Sequence, residues 1–338
     1  MCRLGDLLMN KQQGFTLIEL MISLVLGLLI IAAASQVYVI SLRTATVQQA
    51  GSSILDANVF GLQQIENNIR MAGLGLSDVA KAGAADSGIL AGGNNAAAIS
   101  VLNVNGAKLS SALISRDDLG PTNTTSRGSD QLTIQYRAPA NMRDCEGHLV
   151  LGPRTGILDL PGNPVVSIDG QIIVERYFVK NNNGTLELRC DAGLYVSNHI
   201  IQDDGQGQRN NGQGTANAAT ILTGANNRYN IHNLKDDGAL IASGIDDFQV
   251  RFGIASGANH SGIRYVTPTE YQTLPADTAI ITVQLGLLTK GSVSSIDAPD
   301  NPTYSILGND VRMKDGQGRF IRRVYETNIM LRNSRGRS

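Results

Sequence analysis

GFTLIELMISLVLGLLIIAAASQVYVISL, Gly14–Leu42, decides the architecture of this chain. From Phe15 to Leu42 only Glu19 carries a charge. Coiled as an α-helix, the run spans about 42 Å at ~1.5 Å per residue. That exceeds the ~30 Å hydrocarbon core of a bilayer, so one transmembrane helix fits. The segment before it, MCRLGDLLMNKQQG, Met1–Gly14, is short and polar, with Arg3 and Lys11 against Asp6. A secretory signal has a shorter apolar core and a small-residue cleavage site. Ala32-Ala33-Ala34-Ser35 would mimic such a site, but a secretory signal does not account for Glu19 inside the apolar run. An isolated carboxylate in a bilayer costs at least ~2.5 kcal/mol, which marks Glu19 as a functional candidate. The plainer alternative seats it among the lipid headgroups.

Gly14-Phe15-Thr16-Leu17-Ile18-Glu19-Leu20 resembles the class III signal of type IV pilins and type II secretion pseudopilins. The resemblance implies that a membrane-embedded prepilin peptidase cuts between Gly14 and Phe15 and methylates the new amino group of Phe15. Residues 1–14 would then be a leader, and Cys2 would leave with it. The resemblance also implies that Glu19 pairs with the N-terminal amine of a neighbouring subunit. Low dielectric strengthens that attraction and penalises misregister, in which both charges stay unpaired. Glu19 is thereby expected to set register more than to add net stability. The basic leader ahead of the apolar run orients the helix with its leader inside and the following domain in the periplasm.

Beyond the apolar run, Val47, Ile54, Leu55, Val59, Leu62, Ile65 and Ile69 recur at helical spacing, the signature of an amphipathic helix. Arg70-Met71-Ala72-Gly73 supplies a last-turn cation and a terminating glycine. One long helix is therefore expected over 15–73, with 15–42 as its transmembrane half. Residues 74–129, rich in Gly, Ala, Asn and Ser, read as a loop-rich connection with one or two short elements. From 130 to 338 strands dominate. Candidates are Gln131–Arg137, Gln171–Lys180, Thr185–Cys190, Ile245–Ile254, Ala279–Thr289 and Arg319–Leu331, each β-branched or aromatic-rich and bounded by turn residues. Lys314–Gly318 reads as a hairpin turn into the last of them, and Gln202–Arg228 and Ala255–Gly262 as long surface loops. The fold class is α+β: a half-embedded helix packed on an antiparallel sheet domain.

The 338 residues hold 28 Lys+Arg against 29 Asp+Glu, a net charge of −1, which argues against a surface that is wholly a nucleic-acid footprint. Three cysteines and four scattered histidines, with no Cys-x-x-Cys and no close His pair, leave little room for zinc. No nucleophile elbow, P-loop or dinucleotide fingerprint is present, so neither catalysis nor a cofactor is expected. Asp203-Asp204, Asp236-Asp237 and Asp246-Asp247 lack the spacing of a calcium loop and read as solvated turn residues.

Further motifs are similar to the PilW family of type IV pilus minor pilins. They are Phe60-Gly61-Leu62 with Ile69–Gly73, Asp144–Gly147, Tyr177-Phe178-Val179, Leu188-Arg189-Cys190, Ile245–Gly253, Arg322–Thr327 and Leu331-Arg332-Asn333. Glu146 and the polar stretch around Gln202–Arg228 depart from the pattern. The resemblance implies a minor pilin of the inner membrane that joins other minor pilins and the major pilin in a priming or tip complex, and then enters the extracellular filament. Two other assignments stay open. One is the related minor pseudopilin of a type II secretion system. The other is a tip adhesin or DNA-binding component acting through the loops or through Arg319, Arg322, Arg323, Arg332, Arg335 and Arg337, against which a solvated strand and tail is the simpler account. With the leader removed, Cys145 and Cys190 are the only thiols, and an oxidising periplasm favours their disulfide. Its loop would stabilise by roughly 4 kcal/mol in the chain-entropy model. Two buried free thiols are the alternative. His148, close to Cys145, would make a Cys–His nucleophile only without that bond.

Overall fold

The computed structural model describes residues 14–56, 62–76, 87–91, 111–157, 165–195, 234, 236–256, 262–275 and 278–332. They fall into two compact units, 1–48 and 49–338. In the first, helix α1 (Leu17–Asp56) begins after Thr16 and continues past the unit boundary. Its 40 residues extend about 60 Å at ~1.5 Å each. The large apolar side chains from Phe15 to Leu42 lie open. Among the described residues this is the one helix long and apolar enough to cross a membrane. Its hydroxyls are satisfied within the helix: Ser23 donates to the Leu20 carbonyl at 2.9 Å and Ser35 to that of Ile31 at 2.8 Å. Such back-bonding lets a hydroxyl sit in lipid without an unpaired donor.

In the second unit, helix α2 (Leu62–Met71) buries Leu62, Ile65, Asn68 and Ile69 and ends with Gly73 at φ +79°. Expected residues 57–61, which would join α1 and α2 into one helix, lie outside the described residues.

Fifteen strands, numbered in chain order, are described. A five-stranded antiparallel sheet runs β1 (Arg116–Gly120), β2 (Ser129–Arg137), β7 (Ile172–Asn182), β8 (Thr185–Tyr195) and β9 (Ala239–Ser243). A four-stranded antiparallel sheet runs β11 (Gly262–Val266), β10 (Ile245–Ser256), β12 (Ile280–Ser294) and β15 (Phe320–Met330). Three small hairpins complete the unit: β3–β4 (Met142–Arg143, Leu149–Val150), β5–β6 (Arg154–Ile157, Val165–Ile168) and β13–β14 (Thr303–Ile306, Asn309–Arg312). A short helix, α3 (Pro268–Gln272), is closed by a capping box between Thr267 and Glu270.

One apolar core joins α2 to both sheets, with Leu62, Ile65 and Ile69 packed among Leu132, Tyr177, Phe248, Phe252, Leu285 and Ile329. Burying each such side chain contributes ~1.5–3 kcal/mol. The α1 residues of this unit also dock: Ala50 is buried, and Ser53 Oγ accepts a bond from the Ser292 amide at 3.1 Å. Gly291 permits that approach, since a Cβ there would lie 2.7 Å from Ala50 Cβ.

All six expected strands are present, most of them longer than expected. The 74–129 stretch also contributes β1 to the first sheet. Lys314–Gly318 does turn the chain, with Gly316 and Gly318 at φ +78° and +72°, but it is not a hairpin: β14 pairs with β13, and β15 with β12. Of the expected loops, 202–228 and 257–261 lie outside the described residues.

Candidate functional site

At the N-terminus, Gly14 and Phe15 precede α1, and Phe15 is exposed. Thr16 opens the helix: its carbonyl accepts from the Leu20 amide and its Oγ1 from the Glu19 amide, at 3.1 and 3.3 Å. Thr16 thus acts as an N-cap, and Glu19 sits in the first turn, where the helix dipole favours a carboxylate. The apolar sequence leaves Glu19 the single charged side chain between Phe15 and Leu42.

Within the sheet unit, a disulfide joins Cys145, in the β3–β4 hairpin, to Cys190 on β8, with Cα atoms 6.1 Å apart. Cys190 is fully buried and stands opposite Tyr177 on β7; Cys145 is half-buried. The bond removes Cys145 as a nucleophile, so His148 has no thiol to activate. Instead His148 Nδ1 lies 3.5 Å from Asp144 Oδ2 and 4.0 Å from Glu146 Oε2.

Beside the disulfide is a buried carboxylate that the sequence reading did not single out. Glu175 Oε1 accepts from Tyr136 Oη and the Cys145 amide, both at 3.1 Å. Its Oε2 accepts from Asn68 Nδ2 at 2.9 Å and Tyr177 Oη at 2.7 Å. Burial pushes the Glu175 carboxyl up to about 7, although these four donors hold it down. The network joins α2, β2, β7 and the Cys145 turn through one side chain. A hydrophobic run broken by Glu, Ile172-Ile173-Val174-Glu175, was the signal that could have found it.

Asp246 and Asp247 are corrected from solvated turn residues to the buried start of β10. Asp246 Oδ2 accepts from Arg322 Nε at 2.6 Å, and its Oδ1 from Asn123 Nδ2 at 2.8 Å, with Lys290 Nζ 3.8 Å away. Arg322 therefore leaves the candidate basic patch. Arg319, Arg323 and Arg332 remain exposed, and Arg335 and Arg337 lie outside the described residues. Burial raises Asp247 to about 6 against bonds from Gln249, Ser129 and Thr124. Asp130 is likewise raised by burial, while the Val250 and Asp118 amides bond to it.

Glu146, the departure in the Asp144–Gly147 motif, accepts from the Ala192 amide at 2.9 Å. Burial, with the neighbouring acids Asp236, Asp191 and Asp144, raises its carboxyl. Glu146, Asp191 and Asp236 each bring an oxygen within 4.8 Å of the others. Arg176 answers that charge, its Nη2 2.5 Å from Asp191 Oδ2 and its guanidinium stacked 4.0 Å over Phe178. Asp236 and Asp237 are exposed, and Asp203-Asp204 lie outside the described residues.

Two family matches bracket the chain. Residues 9–35 match the prokaryotic N-terminal methylation motif, spanning the Gly14–Glu19 segment and most of the apolar run. Residues 200–333 match the type IV pilus-assembly protein W family, a stretch that carries β9 to β15 and the Asp246–Arg322 pair. No curated protein and no solved structure matches the chain. A methylation-type motif at one end and a match to the assembly-protein family over the other support a type IV pilus minor pilin of the PilW family.

Proposed function

We propose that this minor pilin acts in the complex that primes or caps the pilus, by packing against other subunits and not by catalysis. In this account prepilin peptidase cuts after Gly14 and the new Phe15 amine is methylated. The protein then waits in the inner membrane by its single helix, with the sheet unit in the periplasm, until it joins other minor pilins and the major pilin. Glu19 pairs with a neighbour's N-terminal amine as the helices bundle and so fixes the register.

The observation that carries this account is an apolar stretch of helix, Phe15 to Leu42, whose large side chains lie open and in which Glu19 is the one charge. A surface of that kind has two stable environments, lipid and the core of a helical filament. Moving from the first to the second gives Glu19 a cation to meet. An unpaired carboxylate opposes either environment.

The test is Glu19→Ala in cells that make pili. Normal leader removal with loss of the variant from filaments supports the register role. Incorporation at the wild-type level contradicts it.

A further inference from the structure

The Glu175 carboxylate lies against a bond whose formation requires two thiols to lose their protons. One of its oxygens and both sulfurs, Cys145 Sγ and Cys190 Sγ, all lie within 4.8 Å of one another. Opening the disulfide would leave two thiols beside that carboxylate oxygen. The two thiols differ in access: Cys145 is half-buried in a hairpin, and Cys190 is sealed inside the core. A buried carboxylate with no cation is an expensive way to fill core volume, and an apolar side chain would serve packing better. We propose that Glu175 is the proton acceptor for closure of the Cys145–Cys190 disulfide, with Cys145 as the entering thiol and Cys190 as the resolving thiol.

The step runs as follows. Cys145 thiolate attacks one sulfur of an external disulfide donor, and the donor's other sulfur leaves as a thiolate. A mixed disulfide then links Cys145 to the donor. Cys190 passes its proton to the Glu175 carboxylate, and its sulfur attacks Cys145 Sγ. The bond to the donor breaks, and the donor's second sulfur leaves as a thiolate. The two cysteines are oxidised by two electrons and the donor disulfide is reduced by two. Glu175 returns its proton to water.

The surroundings suit a group that both takes and releases a proton. The titratable groups around Glu175 are Tyr136 from β2, Tyr177 on β7, the two thiols of the reduced pair, and Asp144 in the turn before Cys145. Helix α2 offers the uncharged Asn68. No Lys, Arg or His among the described residues bonds to the carboxylate. Burial raises its proton affinity to near neutrality, which is where a general base is most effective.

The experiment uses the full chain in detergent micelles, reduced and then mixed with oxidised glutathione as donor. Acid quenching, thiol alkylation and mass spectrometry separate the dithiol, the glutathione adduct on Cys145 and the closed disulfide. For the wild type the adduct is transient and ring closure levels off above about pH 7. In Glu175→Gln, which keeps an acceptor oxygen for the Cys145 amide, the Cys145 adduct accumulates. Closure slows by about 100-fold, the scale of a lost general base. It also rises about tenfold per pH unit through neutrality, as an unassisted thiol requires. Closure by Glu175→Gln at the wild-type rate and with the wild-type pH profile would overturn the proposal. So would an adduct found on Cys190. Should Glu175→Gln fail to fold, Tyr177→Phe decides: it keeps the carboxylate and removes one donor to it. The midpoint of its closure profile then moves to higher pH; an unmoved midpoint would overturn the proposal.

Discussion

Arg322 and Asp246 form an ion pair in the interior of the sheet unit, Nε to Oδ2 at 2.6 Å, with the two side chains 1% and 0% exposed. The pair ties β15 to the start of β10. Asn123 adds the 122–125 segment to the same carboxylate, through a 2.8 Å bond from its amide side chain. Removing one partner from a buried pair leaves a charge that the interior cannot solvate, which costs about 3–5 kcal/mol. Arg322→Ala is therefore expected to lower the Tm of the full chain in detergent by roughly 10 °C. Arg323→Ala, one residue along on the exposed face, is expected to change it by less than ~2 °C. Calorimetry or circular dichroism on the two variants checks the contrast.

Stability is expected to fall as pH rises through mild acidity to neutrality, opposite to the usual behaviour of paired surface carboxylates. Burial raises Asp247 from its ordinary 3.8 to about 6 and Glu175 from 4.5 to about 7. A raised carboxyl binds its proton more tightly in the folded state. Its contribution is complete below the unfolded value and is lost as pH rises through the folded one. The window is thus about pH 4 to 7. Thermal unfolding at half-unit steps measures it. Asp247→Asn is expected to flatten the part of the slope between pH 4 and 6.

Reducing the disulfide should lower the urea midpoint without changing the sheet content. The bond closes a separation of 45 residues, worth roughly 4 kcal/mol in the chain-entropy model. Urea titrations with and without reductant, compared with Cys145→Ala/Cys190→Ala, measure the difference. The double variant is expected to match the reduced protein.

Gly291→Val should loosen the last turns of α1 from β12. Even a Cβ at this position would stand 2.7 Å from Ala50 Cβ and 3.1 Å from its Cα. Overpacking of this kind costs about 1–3 kcal/mol. Hydrogen exchange of the amides from Gly51 to Asp56 reports it as lost protection, with β7 and β8 unaffected.

The long helix and the main strands were legible because their signals are local. The run from Phe15 to Leu42 has one charge, and Gln171–Lys180 and Ala279–Thr289 are rich in β-branched, aromatic and other apolar residues. Asn183-Gly184, the two-residue turn between β7 and β8 with both residues at positive φ, also had its sequence signal. The small hairpins β3–β4 and β13–β14 were not legible, being two and four residues per strand. Asp246-Asp247 looked like solvent because adjacent acids normally are. Their partners stand far along the chain, Arg322 at 76 residues' separation and Asn123 at 123. Glu175 was hidden for the same reason: three of its four donors come from other elements, and only folding brings them to one carboxylate.

The most direct test of the central account is mass spectrometry of filaments sheared from cells, prepared without reductant. A small quantity of this protein beginning at N-methylated Phe15, with a Cys145–Cys190 linked peptide, is the predicted result. A chain in piliated cells that still carries Met1–Gly14 would contradict it.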